Sequence, residues 1–287
     1  MDKIERKHRR TVLLMGAALV LCVLGSFTLG RYPVSLRELL GVLGYRMGLP
    51  IKSFWTSSVE AAVWNIRLPR VILSVLVGAC LAAAGGAYQG VFQNPMASPD
   101  ILGASAGAGF GAALAILLGA SSMGITIGAF AASLLTVALV FNVSRHARGD
   151  RVLGLVLAGI MISSLFQSGT SFLKLVADPN NQLPQITYWL MGSLSGAKWS
   201  DIGFVLIPML SGLVPLLLLR WQLNVITMGD DEARAMGVDP RKIRLWIAVA
   251  STLVTASAVS VSGMIGWVGL VSPHMMRRLV GSDYRFL

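Results

Sequence analysis

An apolar stretch of about membrane-spanning length begins at residue 67, breaks at two proline-containing pairs and restarts as a glycine- and alanine-rich segment that ends near residue 111. The breaks are Asn94-Pro95 and Ser98-Pro99. A broken helix frees backbone N–H and C=O groups that lipid cannot satisfy, so it survives only where protein or a wet cavity covers it. The region 67–111 is therefore the first place to look for a translocation path, and Gln89 and Asn94 are candidate lining residues.

The composition of the chain excludes an ordinary soluble domain. Of its 287 residues, 55% are hydrophobic and 13% are charged, and the mean hydropathy is +0.71. Soluble domains carry about 25% charged residues. The 31 glycines are typical of polytopic bundles, in which small residues let helices approach closely. The formal net charge of +11 does not indicate a nucleic-acid partner, because the basic residues stand at the ends of apolar segments.

Apolar segments of this kind predict an all-α fold, a polytopic transmembrane helix bundle that forms a single domain over 1–287. The predicted spans are 11–30, 69–92, 101–118, 125–143, 152–176, 202–219 and 245–261. The last segment, 263–287, is predicted to break at Ser272-Pro273. Ser35 and Glu38 form a capping-box pattern, which predicts a short amphipathic helix between the first two spans.

Basic residues predict the sidedness of the chain. The first ten residues carry five Lys and Arg, which places the N-terminus in the cytoplasm. The segments then predicted to lie inside, 1–10, 144–151 and 220–244, hold 13 Lys and Arg, whereas the outer segments 31–70 and 174–201 hold 8. The bilayer is thus the first expected partner.

A weak internal echo predicts an inverted repeat. Five helices separate the two copies, and an odd number reverses the direction of the second copy, as in many transporter folds. The first copy is Arg67, Gly85, Gly90 and Asn94-Pro95, and the second is Arg244, Gly263, Gly269 and Ser272-Pro273.

No catalytic, metal-binding or cofactor-binding motif is visible in the sequence. There is no GxxxxGK[ST] phosphate loop, and His8, His146 and His274 offer no metal-ligand spacing. All thirteen acidic residues fall in loops or at helix ends, whereas ion-coupled carriers usually keep a buried carboxylate. If the chain drives uphill transport, its energy must therefore come from a partner.

The best candidate for docking such a partner is the segment 229–237, in the longest loop predicted to be cytoplasmic. Either acidic residue at its start can cap a two-turn helix, and the final glycine can end that helix in the left-handed conformation. An ordinary surface helix explains the pattern equally well. The candidate contact residues are Asp230, Asp231, Glu232, Ala233, Arg234 and Gly237.

Three further groups have alternative interpretations. Arg67 and Arg70 stand at the predicted outer end of the second span, either as snorkelling anchors or as a cationic site for carboxylates of an external protein. Polar residues of the fifth span line a pathway or, in the commoner use, form interhelical hydrogen bonds; they are Ser163, Ser164, Gln167, Ser168, Thr170 and Ser171. Small residues at every fourth position predict close helix packing; they are Gly103, Gly107 and Gly111.

Several motifs, in this order, resemble the permease subunits of bacterial ABC importers for iron–siderophore complexes, haem and cobalamin, the FecCD-type family. They cover most of the chain from about residue 60 onward. The motifs are RLPR at 67–70, GAYQGVFQNPMASPDILGASAGAG at 86–109, LAG at 157–159, WLMGSLSGAKW at 189–199, EARAMGVD at 232–239 and GLVSPHMMRRLVGSDYR at 269–285.

The resemblance implies a ten-helix subunit of the bacterial cytoplasmic membrane, of which this sequence holds about eight helices and lacks the last two. It implies a homo- or heterodimer with the pathway at its interface, ABC ATPase subunits beneath and an extracytoplasmic substrate-binding protein above. By the same resemblance, Arg67 and Arg70 engage that binding protein, 230–237 is the coupling helix on the ATPase, and the gate lies near 150–151. The chain itself is expected not to be an enzyme and to need no cofactor.

Two other hypotheses stay open at this point. The first is an ion-coupled secondary carrier with an inverted repeat. The second is a truncated, non-transporting relic that still binds the ATPase. Co-purification with an ATPase and the sensitivity of uptake to an uncoupler distinguish these from an importer.

Overall fold

The computed structural model describes residues 3–28, 30, 32–146 and 151–287, and this part of the chain is helical and contains no β-strand. In chain order the helices are α1 (Lys3–Thr28), α2 (Leu36–Arg46), α3 (Ser57–Ala61), a π-helical turn (Ala62–Arg67), α4 (Leu68–Val91), a 3-10 turn (Pro99–Leu102), α5 (Ala104–Leu117), α6 (Ser122–Arg145), α7 (Arg151–Val176), α8 (Gln182–Met191), α9 (Trp199–Leu218), α10 (Arg220–Ile226), α11 (Asp230–Ala235), α12 (Pro240–Ser262) and α13 (Val268–Val280).

Six described segments are long and apolar enough to cross a membrane, and each corresponds to a predicted span. They are His8–Phe27, Ser57–Val91, Ser122–Arg145, Leu153–Val176, Trp199–Leu218 and Pro240–Ser262. The remaining predicted span is the 14-residue helix α5, which is about 21 Å long and therefore shorter than the roughly 30 Å hydrocarbon core. With α5 and α13 these segments account for eight helices of the described chain, and the all-α transmembrane bundle is confirmed.

The predicted break between α4 and α5 is confirmed. Helix α4 ends at Val91, and the next regular element is the 3-10 turn that begins at Pro99. Proline lacks an N–H donor and disfavours a helical conformation in the residue before it, so the two X-Pro pairs stop the helix. Gly103, at φ +76°, then turns the chain into α5.

One compact unit comprises the described residues up to Val75 together with Leu194–Gly203 and Phe286. Its core is formed by Phe27, Val34, Leu39, Val42, Val59 and Val63. The capping box predicted for α2 is confirmed, because the Ser35 hydroxyl accepts from the Glu38 N–H at 3.2 Å and the Glu38 carboxylate accepts from the Ser35 N–H at 2.9 Å. This backbone hydrogen bond holds the pKa of Glu38 below its usual value.

The second unit comprises Leu76–Ser193, Phe204–Arg285 and Leu287. Within it, α5 packs against α6 and α7, and the mostly buried α12 packs against α5 and α6. The predicted packing role of the small residues is confirmed: a side chain at Gly107 would overlap Thr136 of α6, and one at Gly111 would overlap the carbonyl oxygen of Gly128. Glycine therefore allows α5 and α6 to approach backbone to backbone.

The predicted break at Ser272-Pro273 is wrong. The irregular segment comes earlier, at 263–267, and α13 runs through Pro273 to Val280. Proline removes the helical donor to the carbonyl oxygen of Gly269, and the neighbouring helix α4 approaches that oxygen at Gly85, which has no side chain to obstruct it. The two copies of the predicted repeat therefore differ, since Asn94-Pro95 lies in a turn and Ser272-Pro273 in a helix.

Candidate functional site

A cavity of about 710 Å³ lies beside α7 in the second unit, and we call it the α7 cavity. Its wall is formed by the 3-10 turn after the break, by α5, by α7 and by the irregular segment at 264–266, with Leu190 of α8. Small and hydroxyl-bearing side chains make up much of this wall. Its polar members are Asp100, Ser105, Ser163, Ser164, Gln167, Thr170, Ser171 and Lys174.

Helical periodicity explains how α7 supplies most of the polar wall. Lining positions along α7 recur at steps of three and four residues from Ile160 to Lys174, so they share one face of the helix. Four predicted pathway residues, Ser163, Ser164, Gln167 and Ser171, are brought together there. Ser168 is exposed and does not line the cavity, because it lies one step outside that face.

Three hydroxyl groups of this wall donate to their own helix. Ser164 Oγ donates to the Ile160 carbonyl at 2.9 Å, Thr170 Oγ1 to the Phe166 carbonyl at 2.9 Å, and Ser171 Oγ to the Gln167 carbonyl at 3.0 Å. For these three residues, the bonds therefore favour pathway lining over interhelical hydrogen bonding. The lone pairs of the hydroxyl oxygens remain available to the cavity.

Two charged residues of the α7 cavity, Asp100 and Lys174, were not predicted from the sequence as lining residues. The break carries Asp100 to the wall, where its carboxylate accepts a hydrogen bond from Ser105. Lys174 stands in the last turn of α7. The position of Asp100 directly after Ser98-Pro99 is the signal that indicates its place, since residues in a membrane-embedded break line a cavity.

The other two predicted pathway residues, Gln89 and Asn94, lie elsewhere, in a cavity of about 500 Å³ that we call the basic cavity. The buried Gln89 side chain donates to the Leu270 carbonyl at 3.2 Å and accepts from Arg277 of α13. Gln93 donates to the Ile226 carbonyl at 3.0 Å. These bonds hold the C-terminal end of α4 to α13 and to α10, so Gln89 serves as a structural link as well as a lining residue.

The candidate coupling segment folds as the short helix α11. The expected cap at Asp230 or Asp231 is wrong, because Gly229, at φ +131°, occupies the capping position. The Asp230 carboxylate instead accepts from the two terminal guanidinium nitrogens of Arg244 at 3.0 and 2.5 Å, which lowers the pKa of Asp230. The left-handed conformation predicted for Gly237 is confirmed by its φ of +78°.

The coupling candidates separate into anchoring and outward-facing residues. Ala233 is fully buried, and together with the Asp230–Arg244 ion pair it fixes α11 in place within the second unit. The remaining candidates are exposed; they are Asp231, Glu232, Arg234 and Gly237. Asp231 accepts from Arg234 at 2.9 Å, so the outward surface is polar and Glu232 carries the one charge among these three residues that pairs with no residue the structure describes.

The two candidate docking arginines have different surroundings in the first unit. Arg67 is half-buried, and its guanidinium donates to the backbone carbonyls of Phe27 and Tyr32. Arg70 is exposed at the start of α4 and donates to the Ser195 carbonyl at 2.8 Å. Arg67 thus has a structural task, and Arg70 is the more accessible cation.

Two further expectations concern a gate near Asp150 and a metal centre. The gate position at Asp150 lies outside the described residues. Among the residues that the structure describes, no three His, Cys, Asp or Glu side chains come together as metal ligands.

Comparisons with known proteins place this architecture. The family model described as the FecCD transport family matches residues 18–287. The molybdate import permease of Haemophilus influenzae is 35% identical, over 96% of this chain and 81% of its own length, and the hemin transport permease of Yersinia pestis is 37% identical over the same shares. A solved structure, described as an inward-facing metal-chelate type ABC transporter, has 33% identity and a TM-score of 0.84 over 96% of this chain and 83% of its own. The chain therefore belongs to the FecCD transport family, whose members are membrane-spanning permeases.

Proposed function

We propose that this chain is the permease subunit of an ABC importer that moves an iron–siderophore complex, haem or cobalamin across the bacterial cytoplasmic membrane, with its N-terminus in the cytoplasm. The observation that carries the proposal is the α7 cavity, a polar cavity beside the α4–α5 break, in a chain that matches this family over 18–287. Relatives named for hemin and cobalamin import support the class of cargo.

The α7 cavity is one half of the proposed pathway, and a second permease subunit supplies the other half. Its volume of about 710 Å³ falls within the roughly 300–1,000 Å³ of cavities that enclose drug-sized ligands. A chelate or a tetrapyrrole is of that size, whereas a bare oxyanion such as the cargo named for the molybdate relative would fill a small part of it. Cavity size therefore favours an organic complex as cargo.

The proposed energy source is an ABC ATPase that binds the outward face of α11. The anchored residues Asp230 and Ala233 transmit force to the second unit, while Asp231, Glu232 and Arg234 contact the ATPase. Burial separates the two groups of residues. A residue that contacts the ATPase must be accessible, whereas a residue that transmits the movement must be held in place. The sequence has no phosphate-binding loop, so the permease itself is proposed not to hydrolyse ATP.

The proposed docking site for the extracytoplasmic binding protein centres on Arg70. A single exposed guanidinium at the outer end of a helix suits an acidic residue on a partner. Arg67 contributes to the same site by ordering the chain around Tyr32 rather than by direct contact.

A reconstituted system tests the proposal. The permease, its ATPase and its binding protein are placed in liposomes, and uptake of a radiolabelled iron chelate is followed with ATP inside. We expect uptake to require both partners and to persist when an uncoupler collapses the proton gradient. Uptake by the permease alone against a gradient contradicts the proposal.

One observation favours the carrier alternative, namely the carboxylate of Asp100 in the wall of the α7 cavity. The variant Asp100→Asn separates the two functions in the same liposomes. An importer retains ATP-driven uptake in this variant, whereas a carrier that uses Asp100 as its proton relay loses uptake. A non-transporting relic binds the ATPase and shows no uptake in either form.

A further inference from the structure

The basic cavity holds positive charge that the proposed transport cycle does not use. It has a volume of about 500 Å³ and is lined by residues of α4, α13 and the segments that follow them, with Thr227 after α10. Three of its lining residues are His274, Arg277 and Arg278, and no Asp or Glu is among the described residues that line it. A cavity of this composition selects an anion.

The two arginines of the basic cavity differ in their freedom to bind. Arg277 is held in place, since it donates to Gln89 and to the Tyr284 hydroxyl at 3.1 Å and lies 5.9 Å from the Tyr284 ring. Arg278 is exposed and makes no hydrogen bond or ion pair with any residue that the structure describes. The cavity therefore combines one preorganised cation with one that is available for a ligand.

The carboxylate nearest in the sequence to Arg278 belongs to Asp283, and its charge is already neutralised by another residue. Asp283 accepts from Arg285 at 2.6 Å and from Asn224 at 2.7 Å. The Arg285 guanidinium lowers the pKa of Asp283 to about 2, so this group stays ionised and paired. Asp283 therefore does not compensate the positive charge of Arg277 and Arg278.

An exposed apolar stripe on α13 adjoins this charge. Val271, Met275 and Leu279 follow one another at steps of four residues, and their exposed fractions are 43%, 62% and 51%. Arg278 comes three residues after Met275, so the cation stands at the end of the same helical face. Phosphate beside an apolar strip is the chemistry of a phospholipid, whereas free phosphate would gain nothing from the strip.

We propose that the basic cavity binds the phosphate of an anionic phospholipid, with the acyl chains along the stripe formed by Val271, Met275 and Leu279. Basic cavities between helices on the cytoplasmic side are a recurrent form of lipid site. The inference rests on the proposed orientation, which places the end of α4 and the segment 220–244 at the inner leaflet. Its test measures lipid binding in detergent, so it fails or succeeds independently of transport.

Native mass spectrometry of the purified chain provides that test. The protein is titrated with phosphatidylglycerol or with phosphatidylcholine of the same acyl chains, and bound lipids are counted. We expect one phosphatidylglycerol to be retained in preference to phosphatidylcholine. Since a cation near lipid phosphate contributes about 1 kcal/mol, Arg278→Gln should weaken this binding about fivefold. Arg278→Lys retains the charge and should retain most of the binding.

The matched control is Arg145→Gln, at an exposed basic residue that ends α6 and does not line the basic cavity. Its lipid binding should equal that of the unmodified chain. An equal loss in both glutamine variants, or equal retention of the two lipids, overturns the proposal. Full displacement of the lipid by millimolar inorganic phosphate also overturns it, because the stripe would then contribute nothing. So does displacement by a bound ATPase subunit whose own binding needs Arg278, which would assign the cavity to a protein interface.

Discussion

A methyl group added at Gly85 should be far more damaging than one added at Gly86. A Cβ at Gly85 would overlap the backbone carbonyl of Gly269 in α13, whereas a Cβ at Gly86 would meet only a Pro273 ring carbon at 3.9 Å, an ordinary contact. Both positions lie inside α4. The pair of variants Gly85→Ala and Gly86→Ala therefore isolates the close approach of α4 to α13.

The difference between the two variants can be worked out because the gain in helix propensity is common to both. Replacing glycine by alanine in a helix stabilises it by about 1 kcal/mol. At Gly85 the added atom forces two backbones apart, and overpacking of this kind costs roughly 1–3 kcal/mol. We expect Gly86→Ala to be neutral or stabilising and Gly85→Ala to be less stable than Gly86→Ala by roughly 1–3 kcal/mol.

Thermal unfolding in detergent, followed by tryptophan fluorescence, measures the difference. At about 2–4 °C for each kcal/mol, the Tm of Gly85→Ala should lie roughly 2–12 °C below that of Gly86→Ala. Equal melting temperatures would refute the reasoning, since they would mean that α13 does not approach α4 at this carbonyl.

Four further predictions concern charged residues. Arg67→Ala should lower the free energy of unfolding by about 2 kcal/mol, because it leaves two backbone carbonyls without a donor, one of them in a partly buried bond. Arg70→Glu should change Tm little, because water replaces its exposed hydrogen bond to the Ser195 carbonyl, and it should weaken binding-protein affinity about tenfold in surface plasmon resonance. Glu232→Arg should abolish co-purification with the ATPase, while the control Arg145→Glu does not. Asp283→Asn should remove about 2 kcal/mol above about pH 4; the lowered pKa of about 2 means that this contribution is lost as pH falls towards 2, where the melting temperatures of variant and unmodified chain converge.

Each of these predictions has an opposing result. Unchanged binding-protein affinity in Arg70→Glu would remove Arg70 from the docking site. An unchanged Tm in Arg67→Ala would mean that its guanidinium is free for a partner. Retention of the ATPase by Glu232→Arg would remove α11 from the coupling site. A constant difference in Tm between Asp283→Asn and the unmodified chain down to pH 2 would show that the carboxylate is not preferentially stabilised in its charged form.

Apolar length and proline position were sufficient to predict most of the fold. The spans and the break after Val91 follow from local chemistry, as does the cap of α2 at Ser35. The error at Pro273 has a different origin: a proline ends a helix unless the carbonyl that it leaves free is accommodated, and that accommodation depends on Gly85, almost two hundred residues earlier in the chain. Tertiary contacts of this kind leave no local signal.

The candidate sites show the same division. Helical spacing grouped Ser163, Ser164, Gln167 and Ser171 on one face of α7, because α7 is regular. Spacing along the sequence did not predict that Gln89 lines a different cavity from these four residues. Gln89 lies on α4, and its cavity forms through tertiary contacts with α13. The acidic start of the coupling segment predicted a cap at Asp230 or Asp231, whereas Gly229 takes that position and Asp230 pairs with Arg244 of another helix.

Three hydroxyl groups of the α7 cavity affect how tightly the proposed pathway can bind its cargo. The protons of Ser164, Thr170 and Ser171 are already committed to carbonyls one turn back, so a complex in the proposed pathway meets the oxygen lone pairs of these groups. Such a surface binds the complex weakly. In the proposed importer, cargo selection therefore belongs to the binding protein that delivers the complex, and a different binding protein can deliver its own cargo to the same cavity without any change to the lining.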